Sequence, residues 1–163
     1  MSTLNFRPAT VADIPALMVI RLAVTENVLS NPARVPAQMY ADYLDRLGRG
    51  WVCEQSVAQD AGPSDAQDAP AREIIGFSYA AQADGSIWAL FVRPGSEGLG
   101  AGRELLRLAS DWLFGQGHAE VTLSTEAHTR ADAFYAAQGW RRGEMKDDRE
   151  VFFTLPRLAS ISP

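Results

Sequence analysis

Hydrophobic and polar positions along the chain repeat with a period near two in some segments and near 3.6 in others, and each change of period marks a new element. Residues 4–7 predict a short first strand. Thr10 then caps a helix, with Asp13 three residues on; Glu or Gln is usual in that place, so the capping box is imperfect. Ile14, Leu17, Met18 and Leu22 give this helix one apolar face, and Pro15 fits its first turn. Ser30-Asn31-Pro32 predicts a break, residues 36–47 a second helix, and Gly48 and Gly50 its stop. A strand follows over 51–57. Residues 58–72, AQDAGPSDAQDAPAR, hold no large apolar side chain and predict a solvated, mobile hairpin loop, not a linker between domains.

The strand pattern resumes over 73–81, and Ala83-Asp84-Gly85 signals a turn. Residues 86–92 are apolar on both faces, with Ile87, Ala89 and Phe91 set against Trp88, Leu90 and Val92. That pattern predicts a central strand covered by helices on both sides. A helix over 103–114 carries Leu105, Leu108, Ala109, Trp112 and Leu113 on one face and stops at Gly115 and Gly117. A strand over 120–125, a short helix over 130–138 capped by Gly139, and paired strands over 140–146 and 150–155 complete the order. Such an order predicts an α/β domain (α+β by some schemes), a mixed sheet flanked by helices, with residues 1–163 forming one domain.

Composition narrows the function classes. The chain is 47% hydrophobic, enough for one sizeable core, and its formal charge is −5. An acidic chain without a dense basic block is not expected to act mainly on nucleic acid. Cys53 is the single cysteine, which excludes an intrachain disulfide scaffold, and no Cys/His cluster has zinc-site spacing. The start, MSTLNFRPAT, lacks the charged and apolar regions of a signal peptide, and no apolar run approaches membrane-spanning length. A soluble cytoplasmic protein is the expectation.

The stretch VRPGSEGLGAGRELL, residues 92–106, stands apart from this background. After Gly95, Gly98, Gly100 and Gly102 fall at every second residue, between a hydrophobic strand and a helical pattern. Glycine reaches positive φ and admits close approach of a ligand. Several amides can then converge on one anion, aided by the positive end of the helix that follows. Glycine spacing alone leaves two readings open, a flexible turn and a phosphate cradle. A P-loop would need Lys then Ser or Thr, where Arg103 and Glu104 stand, and the spacing is not that of the dinucleotide fingerprint.

Val92-x-Pro94, followed by Glu97-Gly98-Leu99-Gly100-Ala101-Gly102-Arg103 and Leu105-Leu106, resembles motif A of the GNAT superfamily of N-acetyltransferases, written Q/R-x-x-G-x-G/A. Gly100 and Gly102 match its small positions, and Glu97 departs from it at the Q/R position. Ala131-x-x-Phe134-Tyr135-x-x-x-Gly139-Trp140 resembles the family's motif B, with His128 where Asn is frequent. The two motifs stand in the family's order, and the resemblance covers nearly the whole chain. It implies a GNAT-like central mixed, mostly antiparallel, twisted sheet between helices.

The resemblance also implies chemistry: direct, ternary-complex transfer of an acetyl group from acetyl-CoA to a primary amine. The acceptor would be a small molecule, peptide or protein, and the protein a possible homodimer. The pyrophosphate would lie on Glu97, Gly98, Leu99, Gly100, Ala101, Gly102 and Arg103. The pantetheine would run between splayed strands at 87–92 and 120–125, with Phe91 and Val92 as contacts. Tyr135 is implied as the general acid that protonates the departing thiolate; packing against the sheet beside Phe134 is its other reading. Glu54 and Glu26 are the candidates for the base, each also readable as a solvated or paired charge. His128 is a further base candidate, a cofactor contact or a helix cap, and Arg130 begins that helix beside the cofactor. Cys53 reads as a small buried strand residue sooner than as an acyl carrier. Two other classes compete: a non-enzymatic acyl-CoA-binding or regulatory module on the same fold, and a nucleotide-binding or phosphotransfer domain, which would lack its lysine and metal-binding pattern.

Overall fold

A computed structural model describes residues 4–24, 37–44, 46–56 and 72–157. The strands are β1 (Leu4–Pro8), β2 (Gly48–Ser56), β3 (Arg72–Ala81), β4 (Ser86–Val92), β5 (Glu120–Glu126), β6 (Arg141–Met145) and β7 (Glu150–Pro156). The helices are α1 (Ile14–Ala23), α2 (Ala37–Asp42), α3 (Ala101–Gly115) and α4 (Arg130–Ala137). All seven strands join one sheet in the order β1-β2-β3-β4-β5-β7-β6. Every neighbouring pair is antiparallel except β4 and β5. The mixed, mostly antiparallel sheet that the motifs imply is therefore the one observed.

Strand alternation divides the core between two faces. On one, Trp51, Cys53, Ile75, Val121 and Phe153 meet Leu105, Ala109 and Leu113 of α3. On the other, Val52, Phe77, Tyr79 and Ala89 meet Ile14, Leu17 and Ile20 of α1 and Tyr40 of α2. Spacings of three place Ile14, Leu17 and Ile20 on the buried side, which turns Leu22 outward at 62% exposure. The predicted apolar face of α1 is corrected by that one position.

β4 corrects a second expectation. Tyr79 pairs with Ala89 and Ala80 with Ile87, so Trp88 is an extra residue on β4. A bulge of this kind reverses the alternation beyond it. Ile87, Leu90 and Val92 consequently pack toward α3, while Trp88, Ala89 and Phe91 pack toward α1 and α2.

Gly48 and Gly50 are not a helix stop; both lie in β2. A Cβ on Gly48 would sit 1.8 Å from the Ala80 carbonyl oxygen, and one on Gly50 would sit 2.8 Å from the Tyr79 ring. They are glycine because strand and aromatic ring approach there. The β2–β3 ladder runs out to Ser56 opposite Arg72. The rest of the expected 58–72 loop lies outside the described residues. No helix among the described residues is long and apolar enough to cross a membrane.

Candidate active site

β4 and β5 run side by side but pair only at Ser86 and Thr122, where the Thr122 amide reaches the Gly85 carbonyl over 3.0 Å. Beyond that point the two parallel strands part. The gap opens toward the C-terminal ends of both, where the glycine turn follows β4 and the start of α4 follows β5. Phe91 and Val92 end β4 on opposite faces, Phe91 under α1 and Val92 beside α3.

Gly95, Gly98 and Gly100 have φ of 94°, 83° and 91°. Side chains disfavour that region, so glycine is required at each. A Cβ at Gly98 or Gly100 would meet nothing within 4 Å, which leaves the turn open on that side. Gly100 is the N-cap of α3, which begins at Ala101, two residues before the predicted start. Gly98, Leu99 and Gly100 donate no amide to another backbone carbonyl among the described residues. The third glycine of the series differs. Gly102 is helical, and a Cβ there would lie 3.5 Å from Val92 and 3.7 Å from Phe134. It lets α3, β4 and α4 pack closely.

Glu97 occupies the position that departs from the motif. Its carboxylate accepts the Gly95 amide over 2.8 Å and pairs with Arg130 of α4 at 3.4 Å. Its own amide and that of Gly95, with Arg130 adding a smaller effect, hold the carboxyl below its ordinary value. The ion pair joins the glycine turn to the first residue of α4. Arg103 follows on the first turn of α3 and lines, with Gly100, Arg107, Gln138 and Trp140, a groove of about 480 Å³.

His128 has φ 65° and donates its amide to Asp132 Oδ2 over 2.7 Å. The cap of α4 is not His128 but Thr129, whose hydroxyl accepts from the Asp132 amide at 3.3 Å and donates to the Glu126 carbonyl at 2.7 Å. Asp132 also takes both Nε and Nη2 of Arg142 at 3.0 Å, which ties α4 to β6. Tyr135, on the inner side of α4, is 6% exposed. Its ring centroid lies 5.3 Å from Phe134, 6.0 Å from Trp140 and 5.6 Å from Phe153.

The base candidates separate. Glu26 lies outside the described residues. Glu54, on β2, accepts from Asn5 Nδ2 and from Arg7 Nη2, each at 3.0 Å, and Arg72 stands 3.8 Å away. Burial pushes its carboxyl up, but the Arg7 and Asn5 bonds outweigh that and leave it below the ordinary value. A carboxylate so held is a weak proton acceptor at neutral pH. Arg7 also grips both oxygens of Asp13, at 2.8 and 2.9 Å, and that bond lowers Asp13 against the effect of burial. Cys53 is buried and its thiol is pushed up to about 11, mainly by desolvation. That state suits packing and not acyl transfer through sulfur.

Arg7 thus compensates two carboxylates whose side chains are only 10% and 13% exposed. Arg7→Met is expected to destabilise the fold by about 2 kcal/mol, less than the roughly 3–5 kcal/mol of fully buried pairs because Arg7 is itself partly exposed. Both carboxyls are depressed in the folded state, so their stabilisation is present above pH ~4 and disappears as pH falls through the folded values. The variant should lose that acid-side dependence, so its deficit against the parent is largest near pH 7 and shrinks toward pH 3. Urea melts between pH 3 and 7 measure both effects.

Sequence reading missed a set of residues on the opposite face of β4. Arg21 lies 5.5 Å from the Phe91 ring centroid, and Tyr40, Tyr43, Tyr79 and Trp88 cluster beside it. They come from α1, α2 with the turn after it, β3 and β4, so no local spacing announces them.

The comparisons accord with this geometry. The family model of the Acetyltransferase (GNAT) family matches residues 33–140. The chain belongs to that family. Its fold is similar to an acetyltransferase from Thermus thermophilus, at 20% identity and a TM-score of 0.63, over 95% of this chain and 97% of that one. It is also similar to the PaiA N-acetyltransferase of Thermoplasma acidophilum, solved with coenzyme A, at 12% identity and 0.71, over 95% and 99%. YncA of Salmonella typhimurium, solved with acetyl-CoA, aligns at 16% identity and 0.64, over 99% and 98%. No curated protein matches the chain.

Proposed function

We propose that this protein is an N-acetyltransferase that moves an acetyl group from acetyl-CoA directly to a primary amine. The observation that carries the proposal is the run of positive-φ glycines, open on one side, at the head of α3 and beside the parting of β4 from β5. Amides of Gly98, Leu99, Gly100 and Ala101 suit a pyrophosphate, and the positive end of α3 favours its charge. Arg103 suits the nucleotide end, along the groove that it lines. Arg130, held at the turn by Glu97, brings a guanidinium to the same place. The structurally similar proteins solved with coenzyme A or acetyl-CoA support this choice of donor.

Phe91 and Val92 flank the gap in which the thioester would lie. Backbone amides of β4 that β5 leaves unpaired can polarise its carbonyl. The amine nitrogen bonds to that carbonyl carbon, the carbon–sulfur bond breaks, and the amine's proton leaves to solvent. Tyr135 donates a proton to the departing sulfur and regains one from solvent. Water serves as the base in this scheme, because the Arg7 and Asn5 bonds make the Glu54 carboxylate a weak proton acceptor.

Free thiol measured during incubation with acetyl-CoA and a panel of amines tests the proposal. Acceptor-dependent release is expected. Tight acetyl-CoA binding without release for any amine would make the protein an acyl-CoA-binding module.

A further inference from the structure

Three buried polar atoms between the sheet and helices α1 and α2 have no hydrogen-bond partner among the described residues: the hydroxyls of Tyr40 and Tyr79 and the indole nitrogen of Trp88. They belong to one cluster. The Tyr40 ring is 5.5 Å from Tyr79 and 5.6 Å from Trp88, Tyr79 is 4.8 Å from Trp88, and Tyr43 adds a face 5.2 Å from Trp88. Burying an unbonded polar group is unfavourable, and phenylalanine would fill either tyrosine's ring space without that penalty. The cluster keeps hydrogen-bonding capacity that the fold does not use.

All three groups can donate. Indole nitrogen only donates. Burial raises both phenols, Tyr79 further through Tyr40 and Asp13, so each keeps its proton. Arg21 stacks on Phe91 close enough for its charge to bear on the Tyr40 hydroxyl, and no carboxylate pairs with it among the described residues. The nearby carboxylate, Asp13, is already engaged by Arg7 and Thr10. Aromatic faces alone would suit a cation. A guanidinium, an indole N–H and two phenol hydroxyls that keep their protons can all donate to one anion with several lone pairs.

Position supplies the rest. Trp88 is the bulged residue of β4, two past the last pairing with β5, and Phe91 ends the same strand beside the gap. We infer that Arg21, Tyr40, Tyr79 and Trp88 form the acceptor subsite, and that the acceptor carries a carboxylate next to its amine, as an amino acid does. The inference rests on the acetyltransfer proposal for the role of the subsite, but not for the binding of the carboxylate. Arg21 and the hydroxyls hold the carboxylate, and the aromatic rings hold the carbon skeleton.

The test is a panel of the common amino acids, each beside its primary amide. Binding is read by intrinsic tryptophan fluorescence without acetyl-CoA, and turnover by thiol release with it. At least one acid should bind ten times or more tightly than its amide, and Arg21→Met should abolish that preference. Tyr79→Phe should weaken the same acid about tenfold while leaving the melting temperature unchanged or higher, which a purely structural hydroxyl would not do. No acid preferred over its amide, or a preference that survives Arg21→Met, overturns the inference. Thiol release from amides as fast as from acids also overturns it and leaves acetyltransfer standing. Arg21-dependent acid binding without thiol release upholds the subsite and rejects acetyltransfer.

Discussion

Gly100→Val is expected to keep the fold and lose affinity for acetyl-CoA by about a hundredfold. Gly100 sits at φ 91°, ψ 1°, as the cap of α3. A left-handed conformation costs an ordinary residue roughly 1–2 kcal/mol, and more for a β-branched one. No protein atom lies within 4 Å of a Cβ there, so steric conflict inside the fold is not the source of the loss. The effect comes from the turn. Valine pulls φ negative, swings the amides of Gly100 and Ala101 off their common target, and projects an isopropyl group into the open side. Two hydrogen bonds to a charged phosphate are worth about 3 kcal/mol or more, which is about a hundredfold in Kd. Gly95→Val is the control. Its φ of 94° carries the same dihedral penalty, but its amide already serves Glu97, so affinity should fall less than tenfold. Calorimetric titration with acetyl-CoA, beside circular dichroism of both variants, reads the difference. Equal affinities for Gly100→Val and the parent would remove the pyrophosphate from this turn.

The turn was legible in sequence because its demand is local. Positive φ at Gly98 and Gly100 depends on those residues alone, and glycine is the residue that meets it. Element order was legible for the same reason, since periodicity needs no knowledge of partners. What failed was non-local. The bulge at Trp88 could not be read because residues 86–92 are apolar on both faces, so an extra residue leaves the pattern unchanged. Gly48 and Gly50 looked like a helix stop because glycine after a helix often is one; their reason lies at Ala80 and Tyr79, some thirty residues away. Glu54 looked available because Arg7, its partner, is 47 positions distant. Glu97 departs from the motif, and one of the partners that hold it there, Arg130, is 33 positions distant. At Gly48, Gly50, Glu54 and Glu97 the role depends on a residue of another strand or helix.

Tyr135→Phe is expected to slow acetyl transfer by about a hundredfold while changing acetyl-CoA affinity less than twofold. Phenylalanine keeps the ring, and the ring is what Phe134, Trp140 and Phe153 touch. Motif B and the parting of β4 from β5 support the hydroxyl as proton donor to the leaving sulfur. General acid catalysis is typically worth ~10²–10⁴-fold, and a thiolate is already a fair leaving group, so the low end applies. At 6% exposure the same hydroxyl also matters to the fold, and its loss should cost about 1 kcal/mol of stability. Rate and stability must therefore be measured on the same samples, under conditions where both proteins are more than 99% folded. Single-turnover transfer at saturating acetyl-CoA then isolates the chemical step from binding and release. A slow chemical step in a fully folded variant with unchanged Kd places the proton at Tyr135, because packing losses do not act on bond cleavage alone. A parental rate would assign the hydroxyl wholly to the core that α4 shares with α3 and the sheet.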